Sequence, residues 1–186
     1  MSRRDAPFIH TPNNDMVKVI NDRVERNSKA IDELVNGLVK QYCSPLDEYM
    51  DRITATVVEG HKVPDELLDE FTLTLPALLY FIGEAQEALG IREDVAKAIK
   101  TELYNTVREK AHGTVADKDT AADLATIQEA IVHTVYQRAY KKVKLRVEAG
   151  YEMLTSVKKV MTRRITEYEM SRVDPQSVPS EGAKRR

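Results

Sequence analysis

The last third of the chain carries a seven-residue apolar repeat, and this repeat narrows the possible folds more than any other feature. Its members alternate steps of four and three residues without a slip, namely Tyr136, Tyr140, Val143, Val147, Gly150, Leu154, Val157, Met161, Arg164 and Tyr168. This spacing is typical of a long helix packed along another helix. One helix cannot bury such a seam alone, so the rest of the chain or a second copy must cover it.

Apolar spacing predicts helices over residues 14–112 as well. A first apolar seam, with steps of three and four residues, contains Val17, Ile20, Val24, Ile31, Leu34 and Leu38. Asn27 occupies one slot of that seam, where it either fixes the register or lies at a solvated edge. Ser44 as N-cap and Pro45 at the first helical position predict a new helix that ends at Gly60.

Proline and glycine divide the middle of the chain further. Pro64 predicts a helix start, and Pro76 predicts a kink or a new helix because proline costs about 3 kcal/mol inside a helix. Gly90 predicts the end of that segment, and another helix is expected from about residue 92 to 111. The stretch 113–117 reads as a hinge before one long helix over about 119–171, in which no proline occurs.

These patterns predict an all-α protein, an elongated helical bundle with a long C-terminal coiled-coil-like helix. We divide the chain into a flexible N-terminal arm, a helical region with an acidic middle, a long basic helix and a disordered tail. The N-terminal arm is 1–13 and the helical region with the acidic middle is 14–112. The long basic helix is 119–172 and the disordered tail is 173–186. No strand pattern is long enough to make a sheet.

The compartment expected from the sequence is the cytoplasm. No apolar region follows the N-terminus, so we expect no secretory signal. The most apolar stretch, residues 73–83, is shorter than the roughly 20 residues that a membrane span needs. Cys43 is the single cysteine, which fits a reducing compartment.

The formal net charge of −2 hides two oppositely charged segments. Residues 58–103 contain ten acidic and four basic side chains, whereas residues 137–172 contain ten basic and four acidic ones. The near-neutral total therefore does not argue against a polyanionic ligand. It describes a chain with an acidic middle and a basic final helix.

Most cations of the basic helix fall at positions that point away from the seam or flank it. The candidate nucleic-acid-binding residues are Arg138, Lys141, Lys142, Lys144, Arg146, Lys158, Lys159, Arg163 and Arg164. We expect the outer side to be almost uniformly positive, which favours a phosphate backbone as the ligand. Two alternatives stay open, namely pairing with an acidic surface such as residues 58–103, and simple solvation.

Tyrosines in this half could stack on unpaired bases. Tyr136, Tyr140 and Tyr168 lie on the seam and are expected in the core. Tyr151 lies off the seam and is the better stacking candidate.

No residue pattern identifies a reaction, so we predict that the protein is not an enzyme. His10, His61, His112 and His133 are too far apart in sequence to show metal-ligand spacing. The isolated glycines form no phosphate-binding loop. We expect no metal, no cofactor and no reactive thiol at Cys43.

Three motifs support a family resemblance. They are Gly113-Thr114-Val115-Ala116-Asp117-Lys118, then Tyr136-Gln137-Arg138-Ala139-Tyr140-Lys141-Lys142-Val143-Lys144, then Leu154-Thr155-Ser156-Val157-Lys158-Lys159-Val160 with Arg163-Arg164. With these motifs, residues 104–168 resemble the UvsY-type recombination mediators of tailed phages.

The resemblance implies a homo-oligomeric helical accessory protein that binds single-stranded DNA. It also implies a recombinase or a single-strand binding protein as partner, with the basic residues above on the phosphates. The sequence therefore predicts a non-enzymatic, single-stranded DNA-binding accessory protein of a bacterial or phage-infected cell. The alternative is a phage structural, adaptor or scaffolding protein that uses helical protein–protein contacts.

Overall fold

The computed structural model describes residues 14–58 and 63–172, which form four helices and, within those ranges, no strand. The helices are α1 (Asn14–Val58), α2 (Asp65–Lys110), α3 (Val115–Ala125) and α4 (Ile127–Arg172). The all-α prediction is confirmed. None of these helices has a stretch long and apolar enough to cross a membrane. The predicted arm 1–13, the tail 173–186 and the helix end at Gly60 lie outside the described residues.

The three long helices form an up-down-up bundle. Helix α4 runs antiparallel to α2, because Glu93 lies near His133 at one end and Asp65 pairs with Arg164 at the other. Helix α1 is also antiparallel to α2. It packs along α4 as well, and therefore runs parallel to α4.

The predicted seam of α4 is confirmed through its centre. Val143, Val147, Gly150, Leu154 and Val157 are all buried. Before this stretch the buried positions move by one residue, to Val135 and Ala139, and the neighbouring Tyr136 and Tyr140 are half-buried. After it the seam opens to solvent, and the last predicted core position, Tyr168, is 61% exposed.

Neither of the two internal prolines ends a helix, so the predicted helix start at Pro45 is wrong. Of the two alternatives predicted at Pro76, a kink or a new helix, the new helix is wrong. Pro45 lies inside α1 and Pro76 inside α2. Ser44 is not an N-cap, since its hydroxyl donates to the Lys40 carbonyl within the helix. Fully buried side chains lie next to both prolines, at Leu46 and Leu75. Burial of these neighbours offsets the backbone hydrogen bond that each proline forgoes.

The predicted helix end at Gly90 is also wrong, and the separate helix expected over 92–111 is the second half of α2. Gly90 lies against the ring of Tyr140 in α4, where an added Cβ would be 3.4 Å from Cε2. A small residue is used here for close packing between two helices rather than for termination.

The predicted hinge is a tight junction between α2 and α3. Gly113 has a φ of +116°, a conformation that side chains with a Cβ rarely adopt. The Thr114 hydroxyl accepts from the Asp117 backbone N–H, and the Asp117 carboxylate accepts from the Thr114 N–H, which forms a capping box. Hydrogen bonds from the Thr114 side chain and backbone hold the pKa of the Asp117 carboxyl below its usual value.

The long helix expected from residue 119 is interrupted once. Thr126 separates α3 from α4, and its buried hydroxyl donates to the carbonyls of Ala122 and Asp123. Helix α3 still packs on the end of α2, with Arg108 paired to Asp119. The two helices therefore continue along α2 in one direction despite the break.

The first seam of α1 is only partly used. Ile31 and Leu38 are half-buried, whereas the fully buried positions are Val35, Val39 and Cys43. All side chains from residue 17 to 30 are exposed, including Val17, Ile20 and Val24 of the predicted seam. Asn27 is among them, which favours the solvated-edge alternative within one chain.

Candidate nucleic-acid interface

Helix α4 positions all nine predicted basic residues. Its apolar seam packs on α1 and α2, so the positions on the opposite side face solvent. Arg138, Lys141, Lys158 and Lys159 are exposed, and no carboxylate of the described residues lies within 4 Å of their cationic nitrogens. These four side chains are the unpaired cations of the site.

Two of the predicted residues are occupied within the bundle instead. Lys142 Nζ lies 3.0 Å from the Asn36 side-chain oxygen and 3.6 Å from an Asp32 oxygen. Arg146 Nε lies 2.9 Å from both carboxylate oxygens of Asp47. Both cations bind α4 to α1, so they contribute to helix packing.

The remaining three predicted cations also have carboxylate partners. Arg164, which is only 16% exposed, pairs with α2, and the other two pair one turn away on α4 itself. These pairs are Arg164–Asp65, Lys144–Glu148 and Arg163–Glu167. The two pairs on α4 are solvent-exposed, so they are weak and leave Lys144 and Arg163 accessible.

The outer side of α4 is not uniformly positive, which corrects the sequence-based expectation. Two exposed carboxylates, Glu148 and Glu152, lie between two clusters of exposed cations. The first cluster is Arg138 with Lys141, and the second is Lys158 with Lys159. Eighteen residues of helix place the two clusters about 27 Å apart along the axis. The exposed cations therefore form two separate clusters rather than one continuous strip.

The acidic segment 58–103 supplies few partners for these cations. Among the described residues, its only carboxylate that pairs with a predicted basic residue is Asp65. Glu70 binds Arg52 of α1, with nitrogen–oxygen distances of 2.7 and 3.1 Å. Among the described residues, the acidic segment therefore neutralises one of the nine predicted basic residues, Arg164.

One tyrosine lies where base stacking would require it. Tyr151 is 54% exposed, and Lys158 follows it by seven residues, so both occupy the same side of α4. Tyr168 is exposed as well, with the Arg172 guanidinium 5.0 Å from its ring centroid. The apolar spacing did not predict this second pair, because Tyr168 continues the repeat beyond the point where a neighbouring helix covers it.

Neither a metal centre nor a reactive thiol is found in the described part of the chain. No three His, Cys, Asp or Glu side chains there could hold a metal ion together. Cys43 is completely buried, and burial raises the pKa of its thiol to about 11, with the charge of Asp47 acting in the same direction. The thiolate, which is the reactive form, is therefore scarce at neutral pH.

The Cys43 environment makes a testable prediction. At pH 8, we expect a disulfide reagent such as DTNB to react at least about a hundredfold more slowly with the native protein than with protein in guanidinium chloride, where the thiol pKa returns to about 8.5. Absorbance of the released thiolate measures both rates. Native and denatured rates within about tenfold of each other would show that the thiol is accessible.

Comparison with protein-family models, with curated proteins and with solved structures finds no match to this chain.

Proposed function

We propose that this protein is a non-enzymatic accessory protein that binds single-stranded DNA along the outer side of α4. The observation that carries the proposal is a set of four exposed cations on one helix that have no carboxylate partner among the described residues, namely Arg138, Lys141, Lys158 and Lys159. Unpaired like charges on a helix repel one another, and a phosphate backbone removes this repulsion while releasing counterions.

A single strand is the preferred ligand because of Tyr151. Tyr151 is exposed on the same side of α4 as Lys158, two helical turns away, and bases can stack on such a ring only when they are not stacked within a duplex. The two cationic clusters then bind backbone on either side of the tyrosine. A strand must span several nucleotides to reach both clusters.

The biological role we propose is that of a recombination mediator in the cytoplasm of a bacterial or phage-infected cell. Its support is the resemblance of residues 104–168 to UvsY-type mediators. In this role the protein acts as a homo-oligomer and assists a recombinase on strands covered by a single-strand binding protein. It requires no cofactor.

The experiment is a salt titration of affinity for a fluorescent oligothymidylate, read by anisotropy. Each phosphate contact contributes about −0.7 to the slope of log affinity against log salt for single strands, so four contacts predict a slope of about −2.8. We expect Lys158→Glu with Lys159→Glu to weaken binding and to make the slope shallower by about 1.4.

The matched control is Lys40→Glu with Lys110→Glu, which makes the same charge change on exposed positions of α1 and α2. It should retain the slope of the unmodified protein. Binding that is undetectable or insensitive to salt would refute the proposal, as would an equal loss in the control. Tighter binding to a duplex of the same length would contradict the preference for single strands.

A second candidate function is that of a phage structural, adaptor or scaffolding protein. The observation that favours it is the large exposed apolar surface, which includes Val24 on α1 and Ile91 on α2. Copurification with assembled particles, together with no affinity for the oligonucleotide, would support this function over DNA binding.

A further inference from the structure

The first half of α1 presents an apolar stripe that no part of the described chain covers. Val17, Ile20 and Val24 are 38%, 56% and 58% exposed. Val17, Val24 and the half-buried Ile31 are spaced by seven residues and share one side of the helix. The side of α1 that enters the core further along is therefore exposed here. We call residues 17–31 the α1 arm.

A second apolar surface lies between α2 and α4. Ile91, Val95 and Ile99 follow each other by four residues on α2 and are 51–58% exposed. Together with Val132 of α4 they line an open groove of about 450 Å³. We call this surface the α2–α4 groove. A helix with an apolar stripe is the kind of ligand that such a groove accepts.

The geometry points to the α1 arm of a second copy of this chain as the occupant of the α2–α4 groove. Both surfaces are apolar, exposed and helical, and each lacks the partner that the other can supply. A second copy provides both at once, so one contact covers a stripe on one chain and a groove on the other. This contact is independent of DNA binding by α4.

Charge selects this pairing over pairing of like surfaces. The arm contains four basic and two acidic residues, whereas residues 84–102 of α2 contain five acidic and three basic ones. Arm against arm would oppose two positive segments, and α2 against α2 would oppose two negative segments. Only the arm on α2 brings opposite net charges together.

The test uses two variants of the full chain, without nucleic acid. The arm variant is Ile20→Glu with Val24→Glu, and the groove variant is Val95→Glu with Ile99→Glu. Light scattering of the unmodified protein should give a mass above the 21.1 kDa of one chain. Each variant alone should shift toward that single-chain mass, with its dissociation constant raised at least about tenfold.

Mixing the two variants separates this contact from symmetric ones. The arm variant retains a native groove and the groove variant a native arm, so a mixture should recover association that neither variant shows alone. Arm-to-arm contact would leave the groove variant associated, and α2-to-α2 contact would leave the arm variant associated. Either result would overturn the proposal, as would an unmodified protein that is monomeric at every concentration.

Two further variants guard against misfolding. Leu73→Glu with Phe81→Glu changes two exposed apolar residues of α2 outside the groove and should leave the mass unchanged. A Val24→Cys chain mixed with an Ile99→Cys chain should form a crosslinked heterodimer with a short bismaleimide, since Cys43 is buried and does not compete. Failure of this pair to crosslink, when both chains keep native circular dichroism, would refute the contact.

Discussion

Replacing Phe71 with alanine is expected to lower the free energy of unfolding by about 3–5 kcal/mol. The Phe71 side chain is 1% exposed in the core between α1, α2 and α4, and its ring meets Tyr49 edge to face at 6.0 Å. Alanine removes the buried ring and leaves a cavity that the three long helices cannot close without losing their other contacts. Urea denaturation followed by circular dichroism measures the change.

Phe81→Ala is the matched control. Phe81 lies ten residues further along the same helix, but it is 65% exposed. Its truncation should change the stability by no more than about 0.5 kcal/mol. Equal losses at both positions would mean that the bundle does not bury Phe71 selectively.

Gly150→Leu is expected to be the second large destabilisation, by about 3 kcal/mol. Even a single added Cβ would lie 2.6 Å from Leu79 Cδ2, and Leu46 Cδ1 is 3.7 Å away on the other side. Three further carbons can be placed only by separating α4 from α1 and α2. Leucine has a higher helix propensity than glycine, which offsets no more than about 1 kcal/mol of this destabilisation.

Gly37→Leu tests the same substitution without the collision. Gly37 is exposed on α1, and nothing lies within 4 Å of an added Cβ. Here the propensity gain is unopposed, so stability should rise by about 0.5–1 kcal/mol. The measurement is again the midpoint and slope of urea unfolding; destabilisation at both glycines would contradict the close approach of helices at Gly150.

The helical class and the centre of the core follow from spacing alone. A seven-residue repeat places Val143, Val147 and Leu154 on one side whatever the neighbouring helix is, and the structure buries all three. Helix ends were harder to predict, because a local penalty competes with burial of residues far apart in sequence. Pro45 lies beside the fully buried Leu46, and packing of that residue on α4 cannot be inferred from the local pattern.

In the candidate site, too, the sequence predicts some features, whereas others depend on how the helices pack. Basic positions on α4 are evident from the sequence, but their division into paired and unpaired cations depends on which helix lies beside them. Lys142 meets Asp32, and Arg146 meets Asp47, across about a hundred residues of chain. Only the bundle geometry distinguishes these cations from Lys158 and Lys159. Whether the unpaired cations bind DNA remains a prediction.

The α2–α4 groove lies far along α4 from Lys158 and Lys159, whereas Arg138 and Lys141 lie close to it. Val132 lies in the groove near the start of α4, and Lys158 lies 26 residues later, about 39 Å along the axis. Joining copies through the groove therefore leaves Lys158 and Lys159 uncovered. An assembly built this way is multivalent, and its avidity for a long strand grows with the number of copies even if each chain binds weakly.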